Sequence, residues 1–89
     1  MSIYRTDLTI EQLRELAEAA GTLVRKGSVK TITELFSWFS EKQTMQLTGI
    51  GERTFRRYRG NWAKADDLTL SKIRGAFGLT TTELESLLK

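Results

Sequence analysis

Eighty-nine residues, 39% of them hydrophobic and 28% charged, describe one folded domain with a modest core; they exclude a disordered chain and leave no room for a large lidded cleft. The absence of Cys and His excludes disulfides and thiolate chemistry, and removes the commonest general base and the commonest transition-metal ligand. The net charge of +3 is uneven: residues 1 to 40 balance, residues 66 to 89 carry net −1, and residues 41 to 65 set six basic groups against Glu41 and Glu52, net +4.

There is no Pro and no alternating Val/Ile run, so strands have little support. Four stretches match the S/T-x-x-E/Q capping box: Thr9 with Gln12, Thr31 with Glu34, Ser40 with Gln43, and Thr80 with Glu83. The pattern predicts a first helix over 9 to 26, with Ile10, Leu13, Leu16, Ala17, Ala20, Leu23 and Val24 on one apolar face and Gly27 as its stop. Ile10, Leu13, Ala17, Ala20 and Val24 also approximate an a/d seam, so this helix either forms a homodimer or packs on its own core. Arg25 and Lys26 suit its C-terminal dipole. A second helix over 32 to 39 carries Ile32, Leu35, Phe36, Trp38 and Phe39, too apolar for a surface position and expected in the core.

A third helix is expected over 41 to 48 and a fourth over 52 to 59, ended by Gly60; between them Gly49 and Gly51 bracket Ile50 in a tight turn. Residues 61 to 66 read as a loop, in which Trp62 suits a cap over the core edge better than a nucleic-acid contact. A fifth helix over 67 to 77 shows Leu70, Ile73 and Phe77 and closes at Gly78. Asp66 and Asp67 fit its positive dipole end, and Gly75 within it suggests close approach of another helix. The last helix, 81 to 88, turns Leu84, Leu87 and Leu88 inward. The class is therefore all-α, a compact bundle of five or six short helices in one domain: an N-terminal helix within 1 to 30, a helix-turn-helix over 40 to 60, and C-terminal helices over 66 to 89. No apolar run approaches the roughly 20 residues that span a bilayer, and no signal-peptide core opens the chain. With no Cys, this fits a cytoplasmic protein with no membrane partner.

The segment "TGIGERTFRRYRGNWAK", residues 48 to 64, concentrates the basic excess. On one helix, Phe55 and Tyr58 share a face with Ile50 beside them, and that face points to the core. Arg53, Arg56, Arg57 and Arg59, with Thr54, take the other sides. A helix held by an apolar face with a cationic face outward suits the major groove, where arginine makes bidentate contacts to guanine and also meets phosphate. The helix start, near Gly51 to Arg53, would lie deepest, with Glu52 accepting from a cytosine amino group. Arg56, Arg57 and Arg59 suit phosphate as well as base, and Asn61 and Lys64 suit phosphate. Thr48, ahead of the turn, joins this candidate set. The opposing reading is a solvated helix face. No nucleophile–base pair, metal cluster or phosphate loop is visible, so the chain does not read as an enzyme and implies no cofactor.

"GIGERTFRRYRG" followed by "LTLSKIRGAFGLTTTELESLL" resembles the lambda-repressor-like, or XRE-type, DNA-binding domains of phage and bacterial regulators. The matching parts are Gly49-Ile50-Gly51, Thr54 to Gly60, Ala76-Phe77-Gly78-Leu79 and Thr80 to Leu88, spanning roughly residues 41 to 88. There are departures. Thr44 and Met45 stand where the family has Leu-Ala, Thr48 where it has an apolar residue, and Gly60 comes one residue early. The loop with Trp62 is long, and the first helix is an addition or replacement. The resemblance implies a sequence-specific regulator of double-stranded DNA, a repressor, whose dimer would read half-sites one turn apart. Similar helix-turn-helix stretches occur in antitoxins, so a module that binds a protein partner, antitoxin or antirepressor, is the alternative. RNA binding is weaker, because Phe55 and Tyr58 are committed to the core.

Overall fold

The computed structural model describes residues 8 to 88, and what was expected of residues 1 to 7 and of Lys89 lies outside them. Six helices follow in order: α1 Ile10–Arg25, α2 Ile32–Phe36, α3 Glu41–Thr48, α4 Glu52–Tyr58, α5 Asp67–Phe77 and α6 Thr81–Leu88, with one 3-10 turn at Trp62–Lys64. No strand occurs among the described residues, and the fold is a small all-α bundle. None of these helices is long and apolar enough to cross a membrane.

Helix starts form where local hydrogen bonding directs them. Thr9 with Gln12, Ser40 with Gln43 and Thr80 with Glu83 close both halves of the capping box, at 2.8 to 3.2 Å. The fourth expected box is half made. Thr31 accepts from the Glu34 N–H at 3.1 Å, but the Glu34 carboxylate reaches past Thr31 to the Lys30 N–H at 3.2 Å.

α1 packs on α3 and α5, α3 packs on α5, and α2 meets α6. The buried stripe of α1 is narrow: Leu13, Ala17, Ala20 and Gly21. Ile10 and Leu16, expected on that face, are exposed at 41% and 44%. The expected a/d seam is largely consumed by this chain's own core, since Leu13, Ala17 and Ala20 are buried and Val24 packs on the same cluster. Three of these four residues are small, and α5 comes close to them. A Cβ on Gly21 would run into the carbonyl oxygen of Phe77, the last residue of α5. Gly75, the glycine expected to allow such an approach, is exposed with open space around it.

α2 ends at Phe36, three residues before the expected 39. The Ser37 hydroxyl donates to the Glu34 carbonyl at 2.6 Å, and the Ser37 N–H is shared between Thr33 and Glu34 carbonyls. The tightened turn drops Phe39 into the core and throws Trp38 out, 45% exposed, against the expectation that it was core. Arg25 does more than expected. Its guanidinium donates to the Gly78 carbonyl, and its Nε stands 3.3 Å from the Glu83 carboxylate. It stands in the last turn of α1, as expected for the dipole, and in addition clamps that end to the α5–α6 corner.

The core that positions α4 is aromatic. Trp62, only 5% exposed, meets Phe36 and Phe55 edge-on at centroid distances of 5.3 and 5.2 Å, with Tyr58 at 6.4 Å. Such contacts add about 0.5–1.5 kcal/mol each beyond burial. The loop after α4 is therefore pinned by its indole, as the cap reading expected.

Candidate nucleic-acid interface

α3 and α4 are joined through Gly49, Ile50 and Gly51. Gly49 caps α3 in the left-handed region at φ 74°, a conformation that costs a residue with a Cβ. Its N–H donates to the Met45 carbonyl, and Ile50 follows, buried at 3%. α4 is fastened by Phe55, 4% exposed, with Tyr58 half-buried.

Thr48 is not presented to solvent. It is buried, and its hydroxyl donates to the Thr44 carbonyl at 2.8 Å while accepting from the Ile50 N–H at 3.3 Å. Thr44, one turn earlier and 1% exposed, donates likewise to the Ser40 carbonyl at 2.9 Å. Both threonines stand where apolar residues were expected. Bonding back to the preceding turn satisfies each hydroxyl, so burial carries little penalty. Thr48 is thus a brace for the turn and leaves the set of candidate contacts.

The rest of the set lies on the outside of the motif. Gly51, Glu52, Arg53, Arg56, Arg57, Arg59, Asn61 and Lys64 are exposed, and Thr54 is half-buried. Arg53, Thr54 and Arg57 line one shallow hollow of about 420 Å³. Neither Arg53 nor Arg57 makes an ion pair among the described residues.

The other two arginines of α4 and its cap do. Arg56 pairs with Glu52 one turn before it, at 2.6 Å, and Arg59 pairs with Glu41 at the start of α3, at 2.8 Å. Two of the four outward guanidinium groups are therefore held by carboxylates. The first pair has the i,i+4 spacing that brings side chains together on a helix; the second joins residues 18 positions apart across the turn between α3 and α4. Both are solvent-exposed, and pairs of that kind contribute about 0–1 kcal/mol and are screened by salt.

Asp66 caps α5, accepting from the Thr69 N–H at 2.8 Å. The Thr69 hydrogen bonds hold its carboxyl below its ordinary range, with the charges of Arg57 and Lys72 adding to the effect. Lys72 lies on α5, outside the basic segment, and its Nζ donates to the Gly49 carbonyl at 3.4 Å. No spacing along the chain signals that approach. No cluster of three or more metal-ligating side chains occurs among the described residues. No protein-family model matches this chain, and no curated protein or solved structure proves similar to it.

Proposed function

We propose that the chain is a sequence-specific regulator of double-stranded DNA, a cytoplasmic repressor of phage or bacterial type, which reads the major groove with α4. It acts by binding rather than by catalysis, and as a homodimer where its site is palindromic. The observation that carries the reading is the division of α4. Ile50, Phe55 and Tyr58 fasten it to the body, while Arg53 and Arg57 are exposed and make no salt bridge among the described residues, with the Asp66 carboxylate in electrostatic reach of Arg57. A rigid helix with free guanidinium groups suits guanine edges and phosphates, and rigidity limits the ordering cost on binding. The pairing of Arg56 with Glu52 and of Arg59 with Glu41 counts against the reading and leaves it on two guanidinium groups instead of four. A phosphate can take over either guanidinium, because the exposed pairs it replaces are weak.

Selection of bound duplexes from a random pool tests the reading. Recovery of a motif bound well above random DNA at physiological salt supports it, and the symmetry of that motif reports the stoichiometry. Equal, weak binding to all duplexes refutes specific regulation.

A second reading, a helical protein-interaction module such as an antitoxin or antirepressor, draws on a different observation. Ile10, Leu16, Trp38 and Leu68 are large apolar side chains left exposed, Leu68 at 68%. Co-purification with an acidic protein and no retention on DNA would favour it.

A further inference from the structure

The basic excess along the chain ends at Lys64, but the folded surface adds a cation from elsewhere. Lys72 sits six positions past Asp66, the cap of α5. Its ammonium reaches the Gly49 carbonyl in the turn that precedes α4. It is exposed and makes no ion pair among the described residues. Leu68, one turn before Lys72 on α5, is exposed too, so this side of the helix faces solvent.

Asp66 lies within electrostatic reach of both Arg57 and Lys72, yet pairs with neither. Its Oδ1 is engaged by the backbone of α5. Asp66 and the exposed Asp67 beside it stand near these two cations, and the Asp66 carboxylate is engaged by its own helix. The geometric link to α4 is Lys72 itself, whose ammonium stands at the turn that leads into that helix.

We propose that Lys72 is a DNA-backbone contact: with Arg57 it forms two points of one phosphate-binding strip that extends from α4 onto α5. The inference rests on the DNA reading above and enlarges its footprint. The Lys72 ammonium is a compact point charge suited to phosphate. Its position beside the turn, not on α4, also places it lateral to the helix that would enter the groove. Such contacts set register and orientation without reading sequence.

The test titrates a fluorescent random-sequence duplex by anisotropy over a range of salt concentrations, with wild type and Lys72→Gln, Lys72→Arg, Arg57→Gln and Lys30→Gln. Lys30 shares a hollow with Glu83 and Ser86 of α6 and serves as the control of equal charge change. Thermal melting of each variant establishes folding. Lys72→Gln is expected to weaken binding several-fold and to flatten the salt slope by about one unit, as one phosphate contact is lost. Lys72→Arg is expected to keep wild-type affinity, and Lys30→Gln to keep the slope. If Lys72→Gln behaves like Lys30→Gln while Arg57→Gln loses affinity, the strip stops at α4 and the proposal is wrong while the DNA reading stands. If wild type fails to hold duplex even at low salt, the DNA reading itself falls and takes the strip with it.

Discussion

Arg59 and Glu41 are 18 positions apart, and one guanidinium nitrogen of Arg59 donates to both oxygens of the Glu41 carboxylate, at 2.8 and 3.1 Å. The contact ties the end of α4 to the start of α3 across the outside of the turn. It also masks one of the four arginines from any anion that approaches. Glu41→Gln removes that competitor and one negative charge. Duplex affinity should rise by up to about fivefold, since an exposed pair is worth at most about 1 kcal/mol. Thermal stability should change little. A fall in affinity on titration of the variant would show that the pair positions Arg59 for binding instead.

Arg53 and Arg57 flank one hollow but should fail differently. Arg53, at the second position of α4, lies where a recognition helix goes deepest. Arg53→Ala should cost about 1–3 kcal/mol on the preferred site and little on random DNA. Arg57→Ala should weaken all duplexes alike and lower the salt slope by about one unit. Competition titrations with preferred and random duplexes separate the two outcomes.

Two helical glycines should respond with opposite signs. Gly21→Ala places a Cβ against the Phe77 carbonyl, a backbone atom that cannot rotate aside. The cost should reach the upper end of the roughly 1–3 kcal/mol typical of overpacking, read as a lowered melting temperature. Gly75→Ala meets open space and should stabilise by about 0.5–1 kcal/mol through helix propensity.

Asp66 should leave a mark on acid stability. Its folded carboxyl is lowered from the ordinary 3.8, so its contribution is complete above 3.8 and is lost as pH falls through the lowered value. The gap in melting temperature between wild type and Asp66→Ala should therefore be constant near neutrality and shrink below 3.8. A gap that persists into strong acid would mean the cap acts without its charge.

Where structure depends on neighbours three or four residues away, the chain was legible. Thr9, Ser40 and Thr80 start helices where the capping pattern placed them, and Gly49 and Gly78 stop them in the left-handed region. The inward set of α4 was legible for the same reason. What escaped depends on tertiary neighbours. Nothing along the chain tells that Ile10 and Leu16 lack a helix to cover them, or that Gly21 rather than Gly75 marks the close approach. Thr48, placed in the candidate set ahead of the turn, instead closes its hydroxyl on the preceding turn, a bond that its spacing to Thr44 permits but does not require. Among the charges, the Glu52–Arg56 spacing was open to inspection; the reach of Glu41 to Arg59 and of Lys72 to Gly49 was not.

The two tryptophans occupy different environments, Trp62 enclosed by Phe36, Phe55 and Tyr58 and Trp38 partly exposed at the surface. Their emission should separate accordingly, blue and shielded from iodide for Trp62, red and readily quenched for Trp38. A Phe at either position leaves a single reporter: one for melting of the interior beneath α4, the other for anything that comes to rest on the outer rim beside α3.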